Sequence, residues 1–198
     1  MMKMNVFVQG NPDLKPETSL NFDVGVEAEN NHGTSAKLTY FHNSFKYLIN
    51  VLSATTRTPG MPMIINVVSK YQNIDKATIQ GVEAEVKQKL GGFFNLRGTY
   101  TYTDAVDGNN ARLEGRDRHK FSLQLSYDNP GDGWSASLWS DWHLDYWASD
   151  STGTKKSNST NVLNFVANKK LGESCSAYFG VDNIMDKKDA NDYTVFGL

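Results

Sequence analysis

Residues 74–90 read IDKATIQGVEAEVKQKL, and this stretch decides how the chain folds. From Gln80 onward it alternates, with Val82, Ala84 and Val86 on one side and Glu83, Glu85 and Lys87 on the other. A period of two puts successive side chains on opposite faces of a β-strand, so this strand has one apolar and one charged face. Two architectures use such a strand. A soluble sheet turns the apolar face into a core, whereas a transmembrane β-barrel turns it to lipid and the polar face to the lumen. The stretch alone fits both.

The same alternation recurs along the chain. Leu20, Phe22, Val24, Val26 and Ala28 alternate with Asn21, Asp23, Gly25, Glu27 and Glu29. Ala36, Leu38 and Tyr40 hold one parity while Phe45, Tyr47 and Ile49 hold the other, which predicts a bulge near residues 42–44. Further faces are Phe94 to Tyr102, Phe121 to Tyr127, Trp134 to Tyr146, Leu163 to Ala167 and Cys175 to Val181. Cys175 is expected as a small packed hydrophobe. Pro12 and Pro16 make residues 1–19 a leading loop, the strands fill 20–187, and 188–198 trail as a loop of the same single segment.

The connections separate the two architectures. Short turns fall near residues 30, 91, 131 and 172, and long loops fall at 53–72, 104–118 and 148–159. In an up-and-down meander, alternate connections lie on one side, so loop length is sorted by side. Outer-membrane barrels have short turns on the periplasmic side and long loops outside. The aromatic residues Tyr100, Tyr102, Tyr127, Trp134 and Tyr146 sit towards strand ends, where interfacial girdles belong. The expected fold is therefore all-β, an antiparallel up-and-down transmembrane β-barrel segment of about eight strands.

Composition agrees. The net charge of -2 gives no basic footprint for nucleic acid. No apolar run reaches the roughly 20 residues of a membrane helix, which leaves strands as the spanning element. One cysteine supports neither an internal disulfide framework nor a cysteine-based zinc site. The sequence contains no G-x-S-x-G, H-E-x-x-H or P-loop, so no enzymatic activity, cofactor or metal is expected.

Five segments, in order, carry a family resemblance. They are NPDLKPETSLNFDVGVE (11–27), LTYFHNSFKYLI (38–49), NIDKATIQGVEAEV (73–86), LEGRDRHKFSLQLSY (113–127) and FGVDNIMDKK (179–188). Together they resemble the C-terminal barrel half of a TonB-dependent outer-membrane receptor, lacking the plug and the final strand. The resemblance implies an outer-membrane location and uptake of a scarce nutrient, with a ferric siderophore or haem as the small-molecule ligand. It also implies contact with outer-membrane lipid, and with TonB only through an N-terminal part outside this sequence. The alternative is a stand-alone eight-stranded barrel with a structural, adhesive or passive-pore role. A soluble lipocalin-like binder would need an apolar lumen, and here the face without aromatics is polar.

Two sets of residues are candidates for function. Glu83, Glu85, Arg97, Lys120 and Asp141 have lumen parity, and as ordinary lumen polarity they pair with one another. Trp139, His143, Asp145 and Trp147 have lumen parity near an extracellular end, where they are placed to contact ligand. Acidic residues at 104–114 lack the spacing of a calcium loop and read as a solvated loop.

Overall fold

The computed structural model describes residues 2–60, 63–149 and 155–187. The strands are β1 (Met2–Gln9), β2 (Thr18–Glu29), β3 (Thr34–Thr58), β4 (Met63–Gly91), β5 (Phe94–Asp107), β6 (Arg116–Asn129), β7 (Trp134–Ser149), β8 (Lys155–Lys170) and β9 (Ser176–Val181). Strands β2 to β9 pair antiparallel in chain order, forming the expected eight-stranded meander. The sheet is open among the described residues, since β2 and β9 each have a neighbour on one side only.

The register carries the alternation across the whole sheet. Val82 pairs with Tyr40 and Tyr102, and Ala84 with Leu38 and Tyr100, so these residues share one face. That face is bare. Leu20, Phe22, Val24 and Val26 are 77%, 57%, 56% and 66% exposed, while the buried apolar residues among those described are only Val67, Ala77, Ala105 and Leu113. A soluble sandwich would bury such rows, whereas a barrel wall turns them to lipid.

Aromatic rings mark the two limits of the apolar face. Phe94 pairs with Tyr127 near the short-turn end, and Tyr102 pairs with His119 eight rows up. Phe93 packs edge-on against Tyr127 at 6.1 Å, and His119 stacks with Tyr100 at 6.1 Å. Eight rises of about 3.3 Å span about 27 Å along a strand. At the tilt of barrel strands this gives an apolar band about 21 Å tall.

The short turns are closed by side-chain caps. Asn30 Oδ1 accepts the amides of His32 (2.9 Å) and Thr34 (3.0 Å), and Gly33 takes a φ of 76° that favours glycine. In the β6–β7 turn, Asn129 Oδ1 accepts Gly131 N–H and Asp132 Oδ1 accepts Trp134 N–H, both at 2.9 Å. The Trp134 amide is the main cause that holds the Asp132 carboxyl below its ordinary pKa. Tyr127, Lys169 and Asn129 add to it, and desolvation opposes them.

The other end departs from expectation in four places. Residues 2–9 are not loop but strand β1, which pairs parallel with Met63–Lys70 of β4. Residues 53–72 are mostly strand, because β3 and β4 continue as a hairpin beyond the last β5 pair at Ala77 and Asp107. Its overhang is about 40 Å along the strand. The loops at 104–118 and 148–159 are likewise shortened by strand at both ends, with 150–154 outside the described residues. The expected bulge at 42–44 is absent, since pairing is continuous from Thr34–Gln88 to Lys46–Lys76. The irregular residue is Tyr47, with φ 57°, and this left-handed turn was not visible as a glycine or asparagine in the sequence. Cys175 also differs from expectation, lying exposed in the β8–β9 turn rather than packed. The trailing residues 188–198 lie outside the described residues.

A strap joins β1 to β2 across the projecting hairpin. Asn11 Nδ2 donates to Tyr71 O (3.0 Å), and Asn73, which has the parity of Glu83, exchanges two hydrogen bonds with the Lys15 backbone. Asn73 Nδ2 also reaches Tyr47 O at 2.6 Å, and Glu17 accepts the Ile49 amide at 3.1 Å. The two prolines that forbid a ladder here leave backbone groups that these side chains satisfy.

Candidate functional site at the mouth of the barrel wall

The polar face is organised in rows. Glu85, Thr99, Ser122 and Asp141 form one, Glu83, Thr101, Lys120 and His143 a second, and Lys87, Arg97, Gln124 and Trp139 a third. Glu85 lies between two cations, 2.7 Å from Lys87 Nζ and 2.5 Å from Arg97 Nη2. All five expected lumen residues therefore share the polar face, but among them only Glu85 and Arg97 form an ion pair. Glu83 sits between threonines, Lys120 beside His143, and Asp141 beside Ser122. Gly81 lies on the same face between Phe41 and Thr103, and a Cβ there would sit 2.7 Å from Phe41 Cζ and 1.9 Å from Tyr102 O.

At the far end of β7 the register with β8 slips between His143 and Tyr146. Asp145 takes the strain with a φ of 54°, and its amide donates to Ser159 Oγ at 3.2 Å. The bulge brings the Asp145 carboxylate to Arg112, whose Nη1 is 2.9 Å from Oδ1, and Arg112 also donates to the Asp145 carbonyl. Arg112 lies over the Trp147 ring at 5.3 Å, a cation–π distance. It is held there because the β5–β6 connection folds back, with Leu113 N–H donating to Ala105 O (2.9 Å), the Leu113 side chain buried, and Gly115 N–H donating to Trp147 O (2.8 Å). Arg118 bridges Asp104 (3.6 Å) and Asp145 (3.8 Å), and His143 Nδ1 meets Asp117 at 2.7 Å.

Of the four expected ligand residues, Asp145 and Trp147 come together through Arg112, and His143 is anchored beside them by Asp117. Trp139 is separate, one row below Asp141 and paired with Gln124 and Asn164. Sequence reading missed Arg112, Arg118, Asp117 and Asp104. Arg118 and Asp117 lie in the basic run LEGRDRHK (113–120) and Arg112 just before it, but nothing in the sequence fixed the fold-back that gathers them with Asp104. The cluster leaves polar capacity unspent, since Arg118 Nε, Trp147 Nε1 and Asp117 Oδ1 are shielded without a partner among the described residues. Two guanidinium groups and a flat ring can receive a flat anionic ligand.

Residues 3–184 match the family described as "TonB dependent receptor-like, beta-barrel". The chain belongs to the TonB-dependent receptors. It is 34% identical over 128 residues to the iron-regulated outer membrane virulence protein of Vibrio cholerae, covering 61% of this chain and 19% of that protein. It is 24% identical over 198 residues to the ferrienterobactin receptor of Escherichia coli, covering 92% of this chain and 25% of the receptor. The chain thus spans about a fifth to a quarter of these relatives. Among solved structures, a mutant of the ferric enterobactin receptor PfeA of Pseudomonas aeruginosa superposes with a TM-score of 0.68 at 24% identity, over 91% of this chain and 27% of that one. The copper transporter OprC superposes with 0.64 at 16% identity, over 90% and 27%. These two show the fold. For a TonB-dependent receptor the location is the outer membrane.

Proposed function

We propose that this chain is late barrel wall of a receptor for TonB-dependent uptake of a ferric siderophore, and that Arg112, Arg118 and Trp147 contact the ligand at the mouth. The observation that carries this reading is the pairing of guanidinium groups and an indole at the end of the wall that bears the long connections. Ferric siderophore complexes of the catecholate class are anionic and flat-sided, which suits that chemistry. The relatives' names, which include iron-regulated and enterobactin receptors, support the same cargo class. Haem is the second cargo. His143 carries that reading weakly, since Nδ1 is engaged by Asp117 and only Nε2 remains to meet an iron. TonB contact belongs to parts of the receptor outside this sequence.

The test is iron-limited growth and radiolabelled uptake in cells whose other iron receptors are deleted, supplied in turn with a catecholate complex, haem and cobalamin. Uptake of the catecholate complex that falls when Arg112 is replaced supports the reading. Uptake of haem alone, or of none of the three, overturns it.

A further inference from the structure

Arg112 and Arg118 reach the same carboxylate but are held in different ways. Arg112 is clamped. Its Nη1 is 2.9 Å from Asp145 Oδ1, it donates to the Asp145 carbonyl, and it lies over the Trp147 ring, with its side chain only 18% exposed. Arg118 is more open, at 37%, and its two ion pairs are loose. Nη2 stands 3.6 Å from Asp104 Oδ1, and Nη1 stands 3.8 Å from Asp145 Oδ2. Neither distance is that of a hydrogen bond. A guanidinium interacts most strongly through two parallel hydrogen bonds to one anion, and among the described residues Arg118 makes none.

The backbone explains the looseness. The β5–β6 ladder ends at the pair Tyr102–His119, so Arg118 lies just beyond it. There the two strands part. Asp104 stays with β4, opposite Gln80, while the neighbours of Arg118 on β6, Asp117 and His119, pair with Tyr146 and Leu144 of β7. Arg118 is thus stretched between carboxylates carried by different strands. The other acids nearby are committed. Asp117 Oδ2 meets His143 at 2.7 Å, Asp107 Oδ1 accepts the amides of Asn109 and Ala111, and Asp145 is taken by Arg112. Asp104 differs from them. Its contact with Arg118 is its only ion pair among the described residues, and its carboxylate accepts no hydrogen bond there.

We propose that Asp104 is a positioning residue that holds Arg118 in reserve, its carboxylate standing in for the anionic group of the ligand until an anionic chelate takes Arg118 from it. The proposal rests on the uptake reading above and adds which of the two guanidinium groups changes partner. Arg112 keeps Asp145 and Trp147 and presents a fixed surface. Arg118 exchanges one loose pair for direct hydrogen bonds to the ligand. Asp104 therefore lowers affinity for the cargo and raises selectivity, because a neutral chelate offers nothing to replace the carboxylate.

The experiment uses the receptor at the length the cell makes it, titrated with the ferric tris-catecholate anion and followed by quenching of tryptophan fluorescence. Removing an exposed ion pair that competes with the ligand should tighten binding about threefold to fivefold. Asp104→Asn and Asp104→Ser both remove the charge and differ in shape, so both should show that gain. Simple relief of repulsion between Asp104 and an anion would also tighten binding, and a double-mutant cycle with Arg118→Gln separates the two. In the Arg118→Gln receptor, Asp104→Asn should leave affinity where it stands. Affinity that is unchanged or weakened in both single Asp104 variants overturns the proposal, and so does a gain of the same size in the Arg118→Gln receptor. If the unaltered receptor does not bind the catecholate complex, the uptake reading itself fails and this assignment falls with it.

Discussion

Asn73 and Lys15, 58 positions apart, pair through one side chain as two strand residues would pair through backbone. Lys15 N–H donates to Asn73 Oδ1 at 2.8 Å and Asn73 Nδ2 donates to Lys15 O at 2.9 Å. The same Nδ2 serves Tyr47 O, so a single amide ties the strap to both strands of the hairpin where the ladder is interrupted by the φ of Tyr47.

Asn73→Ala removes three hydrogen bonds at a part-exposed site. The expected loss of stability is about 1–3 kcal/mol, confined to the strap and the projecting hairpin. Limited proteolysis of the embedded receptor checks it, with faster cutting within 48–72 and unchanged gel mobility of the unheated barrel. If the cutting rate is unchanged, the clasp does not hold the hairpin.

Gly81→Ala is expected to be more damaging than an alanine elsewhere on the polar face. The added Cβ would lie 1.9 Å from the Tyr102 carbonyl, a backbone atom that cannot swing aside. Overpacking of this kind costs about 3 kcal/mol. Removing the Phe41 ring as well relieves the second clash but not the first, so Phe41→Ala should fail to rescue Gly81→Ala in a melting assay.

The Asp132 turn should be sensitive to acid. Because its folded pKa is depressed, its contribution is present in full above the unfolded value, about 3.9, and is lost as the pH falls through the folded value. The gap in melting point between the unaltered protein and Asp132→Asn should therefore be full near neutrality and close at the acid end of the carboxylate range. A gap independent of pH would show that shape, not charge, is what matters at this turn.

Arg112→Ala should uncouple the mouth cluster. It strips Asp145 of its nearest cation and Trp147 of the group over its ring. Loss of a charge-assisted hydrogen bond to ligand weakens binding about tenfold or more. Arg112→Lys keeps the charge but not the two-pronged geometry, so it should recover only part. Titration of receptor fluorescence with ferric siderophore measures both.

The meander was readable because period-two alternation and turn chemistry are written residue by residue, as at 80–87 and in the turns at 30–33 and 129–133. That Glu85 and Arg97 share a face followed from parity, but the register that brings them together did not. What escaped the sequence was non-local or conformational. Strand β1 pairs with residues 61 positions away, Tyr47 and Asp145 take left-handed backbone without being glycine, and the exposure of Cys175 depends on where β9 begins. Arg112 reaches Trp147 only because the β5–β6 connection folds back onto Ala105, and polar composition makes such a segment look solvated. Local pattern records which way a side chain faces, but it does not record which distant backbone it meets.

The height of the apolar band carries a consequence for where this wall can reside. A band of about 21 Å suits a membrane thinner than the usual 30 Å of hydrocarbon, as the bacterial outer membrane is. In a bilayer of ordinary thickness the excess, about three or four residues of strand, would draw the His42–Gln80 and Ser44–Thr78 rows into oil. Every ångström of such mismatch is unfavourable, and neighbouring strands share the same limit because Tyr102 and His119 lie on one row. Membrane thickness thus acts as an address, read by strand length before any partner is met.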